Sequence, residues 1–304
     1  MPKVSVIIPT YNRAQFLSFA IESALKQTFT DLEIIVSDDK STDHTRKVVK
    51  SFKDRRIRYV YNDGNKGPSA TRNTAILSSE GEYIAFLDDD DEWLPEKLKI
   101  QVNLMDKSPR SICGVYSNRL KINKSNGEII STDPGAEKLK GNLLFQLVIK
   151  SPIHTSTVLV RKKCLEEVGL FNETISYMED RDLWIRLSMN WDFEYINEPL
   201  IKVFFHRNGH LSQNLMNQTA GREKLLEMYQ YLFRKNRESW GKLHLCLGAQ
   251  YCQLKEMKKG RHNIIEAIKI YPFNKLAYFH LFSSLLGPNN YQRLRKFYKS
   301  AQLE

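Results

Sequence analysis

The first ninety residues alternate short apolar runs with segments in which apolar side chains recur at helical spacing. The apolar runs predict four strands, VSVII at 4–8, EIIVS at 33–37, IRYVY at 57–61 and YIAFL at 83–87. The helical segments run from Phe16 to Leu25, from about Asp43 to Phe52 and from Ala70 to Ser79. This alternation predicts an α/β fold with a mostly parallel sheet covered on both faces, whose ligands bind beyond the carboxyl ends of the strands.

The middle of the chain, about 95–205, mixes the two patterns. Helices are predicted from Leu98 to Met105 and from Asp182 to Met189, and strands at 113–117, 156–160 and 201–205. The polar segment 120–141 is predicted to be a loop or a small hairpin because it carries two turn signals, Asn126-Gly127 and Pro134-Gly135.

From about Thr219 the pattern becomes helical only, with Leu225, Tyr229 and Leu232 at helical spacing. We therefore predict an α/β domain over residues 1–210, with halves 1–93 and 94–210, and an all-helical region over 211–304. Asn12, with Gln15 three residues later, is predicted to cap the first helix of the α/β domain.

The net charge of +11 lies entirely in the helical region. Residues 1–204 carry equal numbers of basic and acidic side chains, whereas residues 205–304 carry 17 basic and 6 acidic ones. A basic tail of this kind fits an anionic membrane surface or a phosphorylated partner. A solvated helical surface is the alternative.

Composition points to a folded protein in a reducing compartment. Apolar residues make up 41% of the chain, and no run approaches the roughly 18–20 apolar residues of a membrane span. The N-terminus lacks the apolar core and cleavage site of a signal peptide. No cysteine pair has the CxxC spacing of a zinc site, so we expect free thiols and a cytoplasmic protein, with the four cysteines at Cys113, Cys164, Cys246 and Cys252.

The strongest chemical feature is the run of four aspartates from Asp88 to Asp91, directly after the fourth predicted strand. Adjacent carboxylates repel one another, so they are tolerated on a solvated turn or around a cation. Asp88 and Asp90 are two residues apart and would point the same way in extended backbone. At the carboxyl end of a parallel strand, this favours a site where Mg²⁺ or Mn²⁺ bridges carboxylates and a substrate diphosphate.

Further motifs follow the other three predicted strands. Tyr11, after the first strand, can stack on a base or pack as a loop aromatic. Asp39, within 37–43 after the second strand, can accept a hydrogen bond from a base or a ribose hydroxyl, whereas helix capping is the alternative for its neighbours. The segment 65–73 leads into a predicted helix whose N-terminus favours anions, and Arg72 adds a positive charge there.

The order of these segments resembles the N-terminal half of the family-two glycosyltransferases with the GT-A fold. The matching segments are VSVIIPTYNR (4–13), SDDKSTDHT (37–45), NKGPSATRN (65–73) and EYIAFLDDDDEW (82–93). The resemblance is close over residues 1–93, looser to about 205 and only general in the helical tail. It implies a GT-A domain with a nucleotide-binding half at 1–93, an acceptor half at 94–210 and a C-terminal helical appendage.

The resemblance also implies roles for particular residues. Asp39 would hydrogen-bond the base, usually uracil, and Asp90 would be the direct metal ligand of the Asp-x-Asp motif at 88–90. The extra Asp91 leaves the ligand assignment open. His206 follows the strand at 201–205 and would be a further metal ligand, whereas a surface or core-edge histidine is the alternative. The implied donor-nucleotide residues are Pro9, Thr10, Tyr11, Asp39, Gly67, Arg72 and Asp89, and the implied ligands of Mn²⁺ or Mg²⁺ are Asp88, Asp90, Asp91 and His206.

A general base is expected within 178–184. The acceptor hydroxyl must lose its proton as it attacks the anomeric carbon, and the family supplies an acidic pair before an amphipathic helix for this purpose. Asp180 is the predicted base, with Glu179 as the second candidate. The alternative is that these acids only favour the start of a helix through its dipole.

Together these features predict an inverting glycosyltransferase that moves one sugar from a nucleotide sugar, such as a UDP-sugar, to a hydroxyl of a glycan or lipid-linked acceptor in surface polysaccharide synthesis. The Gln-x-x-Arg-Trp motif of processive synthases is absent from the sequence. A sugar nucleotidyltransferase would carry a glycine-rich basic loop where PTYN (9–12) stands, and a non-catalytic scaffold would not need the acidic motifs. No nucleic-acid partner is expected.

Overall fold

The computed structural model describes residues 1–123, 126–132, 140–147, 149, 151–205 and 214–300. The chain divides into two compact units, of which the first comprises Met1–Leu144 and Pro152–Asn208, and the second Phe145–Ser151 and Gly209–Glu304. The predicted boundary near residue 210 falls outside the described residues. Nothing in the sequence predicted that residues 145–151 belong to the second unit.

The first unit is built on one mixed sheet. Its strands are β1 (Val4–Thr10), β2 (Leu32–Asp38), β3 (Ile57–Tyr61), β4 (Tyr83–Phe86), β5 (Asp91–Trp93), β6 (Ile112–Asn123), β7 (Ile129–Thr132), β8 (Leu159–Arg161) and β9 (Asp192–Phe205). In the described residues the order across the sheet is β3-β2-β1-β4-β8-β6-β9-β5, with β7 beside β6. The first four positions are parallel, which places the carboxyl ends of β1, β2 and β4 at one edge.

Helices cover this sheet. They are α1 (Ala14–Leu25), α2 (Thr45–Ser51), α3 (Pro68–Ser78), α4 (Lys97–Lys107), α6 (Lys162–Val168) and α7 (Glu179–Ser188). The short helix α5 (Leu144–Leu147) precedes α6 in the chain, and all but its first residue belongs to the second unit. The strands β1 and β2 are mainly apolar, as buried parallel strands usually are, and the buried Ser5 donates its hydroxyl to Glu33 Oε1 at 2.7 Å. The core joins Val6, Ile34 and Ala85 of the strands to Leu17 and Ile21 of α1.

Most predicted elements are confirmed, and the differences are local. The segment 156–160 is split into a 3₁₀ turn (Thr155–Thr157) followed by β8. The hairpin alternative for 120–141 is confirmed by the β6–β7 pairing. The predicted cap at Asn12 is wrong, because Asn12 adopts a left-handed φ of 52° and its Oδ1 accepts the backbone N–H of Thr42 at 2.7 Å instead.

The second unit is helical over its described residues, which confirms the predicted helical region. Its helices are α8 (Leu215–Phe233), α9 (Arg237–Gln253), α10 (Met257–Ile270), α11 (Lys275–Leu285) and α12 (Pro288–Ser300). Glycines allow α9 and α10 to approach closely, since a Cβ at Gly248 would lie 2.8 Å from the carbonyl oxygen of Gly260. Among the helices described in either unit, none combines the length and apolarity needed to cross a bilayer.

Candidate active site

The four aspartates form a turn at the carboxyl end of β4. The carbonyl of Asp88 accepts the backbone N–H of Asp91 at 3.1 Å, so the chain reverses within the run before β5 begins. The expectation that Asp88 and Asp90 point the same way in extended backbone is therefore wrong. Their side chains have different partners, and the turn instead brings Asp88 towards Asp91.

Asp88 is paired with Arg72 of α3. Arg72 Nη2 lies 2.9 Å from Asp88 Oδ1, and Arg72 Nη1 lies 3.0 Å from Glu179 Oε1 at the start of α7. Arg72 is only 6% exposed, and its guanidinium carbon lies 5.3 Å from the centre of the Phe171 ring. One buried guanidinium therefore connects the acidic turn with the predicted base segment.

Three side chains capable of metal ligation converge beside Asp88. One atom each from Asp88, Asp91 and His154 lie within 4.8 Å of one another, and Asp91 Oδ2 is 3.8 Å from His154 Nδ1. Ser156 holds the two acids in place, because its Oγ accepts the backbone N–H of Asp88 at 3.1 Å and donates to Asp91 Oδ2 at 2.5 Å. The 3₁₀ turn before β8 thus supplies the hydroxyl that orients the carboxylates, and the residue that precedes the turn, His154, supplies a ligand-type side chain.

The electrostatics of this cluster suit a bound cation. Burial, reinforced by the charges of Asp88 and Asp90, raises the pKa of Asp91 well above its usual value. Burial also opposes the charge on Asp88, but the nearby Arg72, His154 and Arg13 together outweigh it and keep the pKa of that carboxyl below its usual value. A divalent ion would relieve the repulsion between the two carboxylates, so the residues present fit such a group.

Thr10 and Arg13 hold the middle of the acidic turn. Thr10 donates its hydroxyl to Asp89 Oδ2 at 2.7 Å, while Arg13 Nη1 lies 3.1 Å from Asp89 Oδ1. Arg13 Nη2 lies 2.5 Å from Asp90 Oδ2. Burial raises the pKa of Asp89 to about 7 in spite of these partners. The end of β1 and the end of β4 are thereby joined through side chains.

Asp39 lies at the same edge of the sheet. Its backbone N–H donates to the carbonyl of Thr10 at 3.0 Å. Its carboxylate accepts the backbone N–H groups of Lys66 at 3.1 Å and Gly67 at 2.8 Å, and Gly67 takes a φ of 87° that favours glycine. Each carboxylate oxygen retains a lone pair for a further donor. Tyr11, between Thr10 and Asn12, is 43% exposed.

The predicted base segment begins α7. Met178 occupies the N-cap position with a left-handed φ of 65°, an uncommon conformation for a non-glycine residue. Burial raises the pKa of Glu179 in spite of Arg72, and burial likewise raises the pKa of Asp180. Asp182 has a structural task, since Arg186 donates to its carboxylate from Nε at 3.0 Å.

Several residues of this region were not anticipated from the sequence. The contacts of Arg13 and Ser156 depend on tertiary structure, so no pattern in the local sequence predicts them.

Lys97 and Gln101 could have been noticed in the sequence, because their spacing places two polar residues on the apolar face of α4. Lys97 Nζ donates to Gln101 Oε1 at 2.7 Å, and Gln101 Nε2 donates to the carbonyl of Thr157 at 2.7 Å. Burial lowers the pKa of Lys97 well below its usual value.

The structure brings most of the predicted site residues to one edge of the first unit. Contacts between their side or main chains connect Thr10, Asp39, Gly67, Arg72, Asp88, Asp89, Asp91 and Glu179, and Asp90 joins them through Arg13. Pro9 lies in β1 beside Ser37, and Asp180 follows Glu179 in α7. His206 lies outside the described residues. The clustering leaves the role of each residue as a prediction.

Comparison with known proteins gives the family. The glycosyl transferase family 2 profile matches residues 5–169. Over 307 residues, 97% of each chain, the protein is 31% identical to the GalNAc(5)-diNAcBac-PP-undecaprenol beta-1,3-glucosyltransferase of Campylobacter jejuni. It is 35% identical over 194 residues, 64% of this chain and 73% of the relative, to the UDP-Glc:alpha-D-GlcNAc-diphosphoundecaprenol beta-1,3-glucosyltransferase WfgD of Escherichia coli.

Solved structures support the same fold. TarS 1–349 of S. aureus, in complex with UDP-GlcNAc, matches 98% of this chain and 92% of its own with a TM-score of 0.67 and 19% identity. The mannosyltransferase PcManGT of Pyrobaculum calidifontis, in complex with GDP-Man and Mn²⁺, matches 88% of this chain and 75% of its own with a TM-score of 0.61 and 18% identity. At these identities the likeness concerns the fold, which is GT-A with a helical C-terminal region. The expected family is therefore confirmed, and the chain belongs to glycosyl transferase family 2.

Proposed function

We propose that this glycosyltransferase moves one sugar from a UDP-sugar to a hydroxyl of a lipid-linked saccharide, with inversion at the anomeric carbon. The observation that carries the proposal is the Arg72 bridge, which holds the acidic turn and the start of α7 around one buried guanidinium. Such an arrangement puts donor-binding groups and a candidate base at one site, as a single displacement requires.

The donor nucleotide is assigned to the carboxyl edge of β1 and β2. Tyr11 offers a ring face for the base, and Asp39 retains lone pairs for a base N–H beside the main chain of Pro9 and Thr10. Gly67 and Arg72 belong to the start of α3, where the helix dipole and a positive charge favour a diphosphate. Asp89 completes this set, fixed by Thr10 and Arg13.

The metal is assigned to the acidic turn. Asp88 and Asp91 with His154 form one ligand set, and Asp90 and His206 remain candidates from the family pattern. An imidazole beside carboxylates favours Mn²⁺ over Mg²⁺, which takes oxygen ligands. When bound, the metal supplies Lewis-acid stabilisation of the leaving diphosphate.

Asp180 is the proposed general base, with Glu179 second. A carboxylate whose pKa is raised by burial is a better proton acceptor near neutral pH than an exposed one, and both groups have a raised pKa. Glu179 Oε1 accepts from the charged Arg72 at 3.0 Å, whereas Asp180 Oδ1 accepts the backbone N–H of Arg181 at 2.7 Å. We therefore assign the proton of the acceptor hydroxyl to the other oxygen of Asp180. Attack from the side opposite the diphosphate then inverts the anomeric centre.

The lipid-linked acceptor is inferred from the relatives. Two of them are named for transfer to saccharides carried on diphosphoundecaprenol, and one of these is named for UDP-Glc. We extend that acceptor class to this chain and place its activity at the inner face of the plasma membrane, in surface polysaccharide synthesis. The anionic membrane surface is then a partner as well.

The assignment of the base is tested by Asp180→Asn and Glu179→Gln, measured separately for turnover of a UDP-sugar panel and for UDP binding with Mn²⁺. We expect Asp180→Asn to lower turnover by about 10²–10⁴ with little change in UDP binding. Glu167→Gln, an exposed acid of α6, is the control and should keep the parent rate. Parent-level turnover in both test variants would contradict the assignment.

Metal binding is tested with Asp90→Ala and His154→Ala. If Asp90 is a ligand, Asp90→Ala should abolish Mn²⁺-dependent donor binding while the fold persists. Loss in His154→Ala alone would instead assign the metal to Asp88, Asp91 and His154. Hydrolysis of the donor without any acceptor separates an enzyme from a scaffold, which should release no nucleotide.

A further inference from the structure

Helix α11 of the second unit has apolar side chains on two sides. One side packs on the core, with Ala277 fully buried and Leu276 and Leu281 partly buried. The other side is exposed, with exposures of 47% at Tyr278, 62% at Phe282, 63% at Leu285 and 45% at Leu286, which follows the last residue of the helix. A helix of a monomeric soluble unit normally places its apolar stripe against the core.

These four residues form one continuous face. Their spacing of i, i+4, i+7 and i+8 places them on adjacent turns of the same side, which we call the α11 face. Lys275 lies on the same exposed side, and Phe273, which is 81% exposed, precedes the helix. A contiguous exposed apolar patch of this kind marks an interaction surface.

The two helices α11 and α12 carry no acidic residue. Between residues 267 and 303 the sequence contains six basic residues and no acidic one. Lys275 begins α11, and four of the basic residues lie on α12, which packs beside α11. An apolar face with aromatic residues and basic neighbours matches the composition of segments that lie in the interface of an anionic bilayer.

A second copy of the chain fits this surface less well. In a symmetric dimer the same patch meets itself, so the basic residues around the α11 face would be brought against their own counterparts. Like charges across an interface oppose association. Negatively charged lipid headgroups complement the same charges while the acyl region accommodates Phe282 and Leu285.

We propose that the α11 face is a membrane-docking surface that inserts Tyr278, Phe282, Leu285 and Leu286 into the interface of an anionic bilayer. The proposed function already includes the anionic membrane surface as a partner, and this proposal deepens it by naming the residues of the second unit that contact the membrane; it does not depend on the transfer chemistry. It differs from a purely electrostatic role of the basic tail, because removal of uncharged side chains should weaken binding even when every basic residue is kept.

The test is cosedimentation of the full chain with phosphatidylcholine vesicles that contain or lack phosphatidylglycerol, without donor or acceptor. We expect binding to the anionic vesicles, reduced about tenfold or more by Phe282→Ser with Leu285→Ser and severalfold by Lys275→Glu. Tyr231→Ser on α8, which removes a side chain of similar 57% exposure, is the matched control and should bind as the parent does.

A second readout guards against misfolding of the double variant. Phe282→Trp should show a blue-shifted fluorescence increment over the parent when anionic vesicles are added, since the indole enters a less polar region. Unchanged vesicle binding of the double variant, or equal binding to neutral vesicles, would overturn the proposal. So would a dimer in sedimentation that the double variant dissociates, because the occupant would then be a second copy. A parent chain that transfers sugar but does not bind anionic vesicles would reject this inference and leave the proposed transfer reaction standing.

Discussion

Asp88 and Glu179 are joined by a single side chain, because Arg72 donates to the first at 2.9 Å and to the second at 3.0 Å. The two acids are far apart in sequence, at the end of β4 and the start of α7. Arg72 is buried, so the interaction is weakly screened by solvent. The position of the proposed base segment relative to the acidic turn thus depends on one residue of α3.

Arg72→Lys tests this dependence. A lysine keeps the charge but cannot direct two fixed donors at two carboxylates, so one buried acid loses its partner. We expect the free energy of unfolding to fall by about 1–3 kcal/mol and transfer activity to fall with it. Urea unfolding and turnover measure the two effects. Arg55→Lys, at an exposed site, should change stability by less than about 0.5 kcal/mol. Equal behaviour of the two variants would mean that a point charge suffices.

Ser156→Ala tests the orientation of the acidic turn. The substitution leaves the backbone N–H of Asp88 and the carboxylate of Asp91 without the hydroxyl that joins them. We expect Mn²⁺ affinity, measured by calorimetry, to fall about 10- to 100-fold. Ser108→Ala is the control, since that hydroxyl donates only to a carbonyl of its own helix. Parent-level Mn²⁺ affinity in Ser156→Ala would show that the turn holds its shape unaided.

Tyr11 provides a test of base stacking. If the exposed ring stacks on the donor base, Tyr11→Phe should bind UDP as the parent does, and Tyr11→Ala should lose about 1–3 kcal/mol of binding free energy. Tyr231→Ala, at an exposed position of α8, controls for the loss of a surface tyrosine. A UDP affinity that is unchanged in Tyr11→Ala would favour the packed-loop alternative.

His280 predicts a pH dependence of stability. Burial, aided by Arg295, lowers the pKa of His280 to about 4 from 6.5. The unfolded chain therefore binds a proton between these values that the folded chain excludes, so stability is full above about pH 6.5 and is lost as the pH falls towards 4. Between pH 7 and pH 5 the expected loss is about 2 kcal/mol.

The slope of the unfolding free energy against pH, and not its value at one pH, tests the role of His280. His280→Asn should flatten the pH dependence of unfolding, whatever its effect at neutral pH. His262→Asn, at an exposed site on α10, should leave the slope as it is. If both variants keep the parent slope, other groups control the acid sensitivity.

The order of elements and the edge of the sheet that carries the site were predictable from the sequence. The periodicity of apolar residues predicts the elements, and the points where the strands end predict the edge of the sheet. Asp39 and the aspartate run were therefore expected at the same edge. The turn within that run was not predictable, because extended and turned backbone are both compatible with four aspartates. The hydrogen bond from Asp91 to the carbonyl of Asp88 decides the matter in the structure.

Contacts between distant segments were also beyond the sequence. Asn12 looked like a helix cap because its type and position fit one, but its side chain binds the backbone of Thr42 in another loop. Tertiary hydrogen bonds replaced the local one. Lys97 is a different case, because its place on the apolar face of α4 could be read from the sequence, and in the structure its Nζ lies 3.9 Å from the centre of the Trp93 ring.

The positions of β4 and β5 in the sheet limit how the length of the acidic run between them can change. β4 ends at Phe86 near the middle of the sheet order, whereas β5 begins at Asp91 and pairs with β9 at the far end. The residues between β4 and β5 must therefore connect two strands that are held in place by different partners in the sheet. Changing the charge of these residues leaves their span intact, whereas adding or deleting one residue shifts every carboxylate relative to Ser156 and Arg72. The length of the run matters more than the charge of each residue in it. We therefore expect related sequences to differ here by substitutions and not by insertions.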